Sequence, residues 1–366
     1  MAMNIDLLHR LCETPGVPGR EERVRALIEK EIKGLFDEVR TDAMGNLICR
    51  RDPRAGAGKS SGASKRTARP RADRPTRVML AAHMDEIGFY VKAISDKGFL
   101  YVNPAGGFDA RNLFSRRVLV CTKKGDLVGV MNPGGRPIHI SSEEERKKVP
   151  EPKDFFVDLG MPVNKVKQTV EIGDYIVMHE PFVQIGDKVV SKALDNRFAC
   201  WVAIEAVRAI DKAKKPHACE IYAAFTVQEE VGLRGARTAA NAIQPDLGIG
   251  LDVSLACDTP GVPTEETVTV QGEGVGLHVM DASFIADARL IDELEAVAKK
   301  HKIKHQRTIL ARGGQDGAAI QQQMAGARAA GLVVGTRYIH TVTEMIDARD
   351  LEAARDLLAA WMPTVA

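Results

Sequence analysis

Apolar positions recur at helical spacing over residues 20–36, where Val24, Leu27, Ile28, Ile32 and Leu35 share one face. A shorter helix is predicted over residues 5–11, ending at the break TPGVPG. VRTDAMGNLICR predicts a hairpin about Gly45-Asn46, and RVMLAAH, residues 77–83, is a continuous apolar run of the kind a buried strand shows. The texture then changes. Between residues 88 and 182 short strands alternate with Gly/Pro turns and no long helix is predicted, which is the pattern of a small β domain. Inside it SSEEERKKVPEP is charged and reads as a loop or short helix. From residue 195 onward helices are predicted over 197–210, 233–242, 287–301, 315–324 and 350–361. Strands are predicted over 220–227, 247–251, 267–270, 306–310 and 329–334. Strands alternating with helices imply an α/β fold with a mostly parallel sheet covered by helices. The expected organisation is one α/β domain, residues 1–86 and 183–366, interrupted by a β insert at 87–182.

Charge adds one feature. Between Arg50 and Arg77 ten Lys/Arg stand against Asp52 and Asp73, a local +8 that leaves −6 for the rest of a chain whose net charge is +2. Residues 52–76 are rich in Gly, Ser, Ala and Pro, cannot bury a core, and read as a disordered-like surface insertion. No aromatic residues interleave these charges for base stacking, so a nucleic-acid role is the weaker reading. No apolar run approaches the length of a membrane span, and the start lacks the apolar stretch of a signal peptide. Six scattered cysteines without C-x-x-C argue against a zinc ribbon and fit a reducing cytoplasm.

Chemistry concentrates at strand ends. AAHMDEIGF brings His83 and Asp85, QEEVGLRG brings Glu229 and Glu230, GLDVS brings Asp252, and TRYIHT brings His340. KALDNRFA puts Asp195 at a helix start. Each alone has an ordinary reading as a surface group, a cap or a packed side chain. Together they matter, because ligands of open α/β sheets bind outside the carboxyl ends of the strands. Imidazoles with carboxylates form a mixed N/O donor set suited to zinc, cobalt or manganese. Asp195, Glu230, Asp252, His83 and His340 make five ligands. One bridging carboxylate among them gives each of two ions three protein ligands and an open position. Glu229 is left over as a general-base candidate. Asp85, two residues from His83, is placed to accept the other ring N–H and hold the tautomer.

The ordered set HMDEIGF, ALDNR, QEEVGLRG, LDVS and RYIHT resembles the M42 metallopeptidases, the tetrahedral aminopeptidases whose members also carry the labels glutamyl aminopeptidase and endoglucanase. The resemblance runs from TDAMGNL to the C-terminus, apart from the basic insertion. It implies a zinc-peptidase-like catalytic domain with two divalent ions, zinc or cobalt, acting on peptides. His83 and Asp252 would bind one ion, Glu230 and His340 the other, with Asp195 bridging and Glu229 as base. It also implies a β insert used in oligomer contacts and a tetrahedral dodecamer. Two departures stand out. The family's G-G-T-D-A-G stretch is Gly313-Gly314-Gln315-Asp316-Gly317-Ala318 here, which bears on the substrate pocket, and the basic insertion is longer than the family pattern.

Three rivals are weighed against an aminopeptidase. A glycoside hydrolase needs two carboxyl groups flanking the bond, gives the imidazoles no task, and favours aromatic sugar platforms, whereas aromatics are 5% here. A non-catalytic scaffold predicts missing ligands. A deacylase or carboxypeptidase on the same metal framework is separated only by the family resemblance.

Overall fold

The computed structural model describes residues 3–54 and 74–366; most of the basic insertion lies outside the described residues. Four parallel strands form the centre of the large sheet, in the order Glu220–Thr226, Arg77–His83, Leu247–Leu255 and Arg328–Arg337. Strands added by antiparallel pairing flank them. The hairpin Glu38–Thr41 and Leu47–Arg51 adds to one side. Glu344–Asp347, Lys188–Ser191 and Val183–Ile185 extend the other, while Val275–Met280 and His305–Ile309 branch from Arg328–Arg337.

Strand side chains alternate between two cores, as a period of two requires. Val78, Leu80, Ile221, Ala223, Ile249 and Leu332 face the helices Ile5–Glu13, Glu22–Glu31, Leu194–Lys212, Ala288–His301 and Ala348–Trp361. Met79, Ala81, Tyr222 and Ala224 face the opposite side, against Arg234–Ile243 and Ile320 of the short helix Asp316–Gln321. Helices therefore cover both faces, and the strand centres read as continuous apolar runs. Leu194–Lys212 is the most deeply packed helix: Phe198, Trp201, Ile204 and Val207 are buried. Full burial of side chains of this size stabilises by roughly 1.5–3 kcal/mol each.

Six strands between residues 88 and 178 close an antiparallel barrel. They are Gly88–Ile94, Leu100–Ala105, Phe155–Asp158, Gly125–Pro133, Arg116–Thr122 and Tyr175–Met178, in spatial order. Phe89, Leu100, Val118, Val120, Phe155 and Ile176 fill the barrel core, and Val342 joins them from the far end of the chain. SSEEERK forms the short helix Glu143–Lys147, started by a capping box between Ser142 and Glu145.

Several expectations are corrected. The helix expected over 20–36 stops at Glu31, and Gly34 then turns with a φ of +79°. The extended run expected as a strand over 267–270 has only an isolated bridge, Ala256 to Thr269. The Gln306 side chain substitutes for a neighbouring strand there, accepting from Val270 N and donating to Val270 O at 3.0 Å each. Val275–Met280 is a strand where the patterning predicts no element. Gly276 lets it pass over Val333, whose Cγ2 would lie 2.6 Å from a Cβ. The helix expected over 315–324 is only Asp316–Gln321. Strands Val183–Ile185, Lys188–Ser191 and Glu344–Asp347 are too short to register as patterns.

Candidate metal centre

The register of the sheet brings the polar clusters to one edge. Thr226 pairs with His83 and Asp252 with Val333 in parallel ladders, so the carboxyl ends lie side by side. Lys188–Ser191 runs antiparallel to Glu344–Asp347, which runs antiparallel to Arg328–Arg337. Lys188–Ser191 thus points the same way as the central strands and delivers Asp195 to the same edge. Asp195 and Asn196 have non-helical dihedrals joined by a cis peptide, and Asn196 Nδ2 donates to Leu251 O at 2.8 Å, the residue before Asp252.

The structure brings His83, Asp195, Glu229, Glu230, Asp252 and His340 together. Asp195 faces both imidazoles: Oδ1 lies 3.3 Å from His83 Nε2, and Oδ2 lies 3.3 Å from His340 Nε2. His83 Nε2 is also 3.9 Å from Asp252 Oδ1 and 3.8 Å from Glu229 Oε2, while His340 Nε2 is 3.4 Å from Glu230 Oε2. Potential ligand atoms of His83, Asp195 and Asp252 lie within 4.8 Å of one another, as do those of Asp195, Glu230 and His340. His83, Glu229 and Glu230 form a third such group.

Asp85 sits differently from expectation. The nearest acceptor to His83 Nδ1 is the backbone carbonyl of Asp85 at 3.0 Å; the carboxylate Oδ1 is at 3.6 Å. That carboxylate accepts the backbone N–H groups of Glu229 and Glu230, one on each oxygen, at 3.1 Å. With the Asp85 carboxylate engaged by those two N–H groups, its carbonyl, not its side chain, lies under the ring. Gln315, a departure from the family pattern, is buried. It caps Asp316–Gln321, accepting from Gly317 N at 3.2 Å. Its side chain fills the space left by Gly250 and Gly331, where a Cβ would stand 1.8 Å and 2.1 Å from its amide atoms.

Electrostatically the cluster is short of positive charge. Burial drives Glu229 well above the usual carboxylate range despite His83, and Asp252, Glu230 and Asp316 push it further. Burial likewise raises Asp252 and Glu230, with Asp195 adding to each. Burial also raises Asp195, but hydrogen bonds from His340 and His83 outweigh it and hold this one carboxylate below its usual range. Burial disfavours charge on His340, yet Asp195 and Glu230 push it up to about 12. Glu230 Oε1 is buried with no hydrogen-bond partner. Crowded acceptors, two imidazoles and an orphaned carboxylate oxygen fit divalent ions well.

Sequence reasoning missed the residues that hold the cluster in place. Glu344 accepts from Asp195 N through Oε2 and from His340 N through Oε1, both at 2.9 Å. Glu21, pushed up to about 7 by burial and by Asp85, accepts from Gln228 N at 3.1 Å. Asn46 Oδ1 accepts from Val227 N at 3.0 Å. Backbone N–H groups 227 to 230 are thus all held by side chains from elsewhere in the chain. Beside the cluster, Lys192 Nζ pairs with both oxygens of Glu86 at 2.7 and 2.8 Å. No spacing rule marks such acceptors, because any Glu or Asn in a sequence reads first as solvated.

An α/β sheet that gathers carboxylates and imidazoles at the carboxyl ends of its strands offers donors able to hold divalent ions. The family model for M42 glutamyl aminopeptidases matches residues 65–357. A putative aminopeptidase of Acetivibrio thermocellus is 35% identical over 354 residues, 96% of each chain. The TET aminopeptidase from the marine sediment archaeon Thaumarchaeota archaeon SCGC AB-539-E09 superposes with a TM-score of 0.89 at 32% identity, covering 98% of this chain and 96% of that one. The TET1 peptidase of Pyrococcus horikoshii, which can assemble into a tetrahedron or a large octahedral shell, superposes with a TM-score of 0.83 at 30% identity, covering 98% and 99%. The chain belongs to the M42 aminopeptidase family, whose peptidases are metal-dependent.

Proposed function

We propose that this chain is a metal-dependent aminopeptidase that removes N-terminal residues from short peptides, using water activated at a pair of divalent ions. The observation that carries the reading is Asp195, whose two oxygens face two different imidazoles at 3.3 Å each. In this assignment His83 and Asp252 would hold one ion and Glu230 and His340 the other, with Asp195 shared between them. Zinc or cobalt suits the donors best, and manganese is compatible. Bound ions supply Lewis acidity, polarising the scissile carbonyl and lowering the pKa of water. The remaining work belongs to side chains. The carboxylate of Glu229, made more basic by burial, takes a proton from the attacking water and returns it to the leaving nitrogen. Asp85 is a positioning residue, holding the backbone of Glu229 and Glu230 and, through its carbonyl, the His83 ring.

The reading extends to assembly and place. Tyr101, Val128, Val130, Ile138 and Ile140 are exposed large apolar residues between positions 87 and 182. We assign this insert to contacts between copies in a tetrahedral dodecamer, as exposed apolar patches of this kind mark interaction sites. Light scattering should then give about twelve times the 39.8 kDa chain mass. All six cysteines are free, which supports a reducing cytoplasm, and no helix among the described residues is long and apolar enough to cross a membrane.

The test is hydrolysis of a panel of aminoacyl-p-nitroanilides with and without chelator and re-added Zn²⁺ or Co²⁺. Activity should vanish with chelator and return with metal. Cleavage of N-blocked peptides or glucans in place of the free-amino substrates would overturn the reading in favour of a deacylase or a glycoside hydrolase. The glycoside hydrolase would also be indifferent to chelator.

A further inference from the structure

We propose that Glu344 is a positioning residue that sets the affinity of the ion held by Glu230 and His340, by clamping the backbone of two ligand-bearing residues at once. The inference rests on the two-ion reading above. Glu344 is buried, and its carboxylate makes one bond with each oxygen: Oε2 accepts from Asp195 N and Oε1 from His340 N, both at 2.9 Å. These residues are 145 positions apart in the sequence, on loops from different strands. Glu344 reaches both because it opens the strand Glu344–Asp347, where it pairs directly with Ser191, four residues before Asp195.

The clamp matters because both loops lack regular support. Asp195 precedes the regular part of its helix and has non-helical dihedrals. His340 has a φ of +63° and Tyr338 one of +60°, left-handed conformations that L side chains adopt only when their surroundings hold them. Two acceptors on one rigid carboxylate fix the separation between these backbone N–H groups, and with it the approach of Asp195 Oδ2 to His340 Nε2. The ion at Glu230 and His340 takes two of its three protein ligands from residues Glu344 holds. The ion at His83 and Asp252 takes only Asp195 from that set. Loss of the clamp should therefore weaken the two ions unequally.

The experiment is titration of metal-stripped full-length protein with Zn²⁺, read by calorimetry, and with Co²⁺, read by its visible absorption. Wild type, Glu344→Gln and Glu344→Asp are compared. Gln keeps one acceptor oxygen and turns the other position into a donor facing an N–H. Asp keeps the charge but falls short by one methylene. Wild type should bind two ions per chain. Both variants should bind one ion within a few-fold of wild-type affinity and the other about 10–100-fold more weakly, with Gln the worse. The Co²⁺ spectrum should change for the weakened ion only. Two ions bound with wild-type affinity by both variants would overturn the proposal. So would equal weakening of both ions with an equal fall in metal-free melting temperature, which marks a general structural role. If the Gln variant does not fold, the Asp variant decides between these outcomes. Failure of wild type to bind two ions would instead sink the two-ion reading, and the two failures are thereby distinguished.

Discussion

The two imidazoles of the cluster are held by opposite means. His83 ends a regular parallel strand, is 1% exposed, and has its ring held by a backbone carbonyl two residues on. His340 lies three residues past its strand, in a left-handed conformation, with its side chain 31% exposed. A side-chain carboxylate and the burial of Val342 in the barrel keep its loop in place. One half of the site is thus a product of sheet geometry, the other of long-range tethers. The lesson is that a strand end places a side chain through local geometry, whereas a side chain on a loop needs supporting contacts from distant segments, which make it easier to perturb.

The largest effect is expected at Glu229, the proposed base. Glu229→Gln should lower kcat/KM by about 10²–10⁴-fold while metal content, measured by mass spectrometry, stays at the wild-type level. Loss of metal together with activity would make Glu229 a ligand instead. The halves themselves separate in the next experiment. His83→Ala removes a fully buried ring between Asp195, Asp252 and Glu229, and should cost about 3 kcal/mol in metal-free denaturant unfolding. His340→Ala also strips a partner from two buried carboxylates, but its ring is part exposed, so it should cost less there than His83→Ala, yet lose an ion just as His83→Ala does. Equal stability losses would erase the contrast.

A packing variant probes the sheet-built half. Gly250→Ala places a Cβ 1.8 Å from Gln315 Oε1 and 2.6 Å from Gly317 N on the strand that carries Asp252. It should destabilise by about 1–3 kcal/mol, read by thermal unfolding, and pairing it with Gln315→Ala should recover part of that. The smallest effect probes the tethered half. Asp347 caps the helix Ala348–Trp361 and is gripped by Arg349 at 2.7 Å and Lys188 at 2.6 Å. Burial would raise its pKa, but those hydrogen bonds outweigh burial and hold it below the usual range. A depressed folded pKa stabilises above the unfolded value, near 4, and that contribution is lost as pH falls further. Asp347→Ala should therefore cost about 1 kcal/mol near pH 7, with the gap to wild type narrowing below about pH 4. A gap independent of pH would show that the cap acts without its charge.

Much of this was open to a reader of the chain alone. The apolar run at 77–83 and the alternation after residue 195 specify strands and helices because burial follows the periods of the backbone itself. His83, Asp195, Glu229, Glu230, Asp252 and His340 stood out because each follows an apolar run, and strand ends in such a sheet converge. The Asp85 carboxylate was expected under the His83 ring, which is where local extended geometry alone would put it; the backbone N–H groups of Glu229 and Glu230 draw it away, and the carbonyl takes that place. Val275–Met280 was hidden by its glycines, whose absent side chains are what let the strand cross Val333.

What the sequence by itself determined is the set of elements and the kinds of chemical group they carry, because both depend on local periodicity and residue type. Only the tertiary structure decided that Glu344 joins Asp195 to His340, that Glu21, Asn46 and Asp85 hold residues 227–230 by their backbone, and that Gln315 packs under two glycines. Those roles depend on a buried N–H meeting an acceptor from a distant segment, and a linear pattern holds no record of which segments will meet.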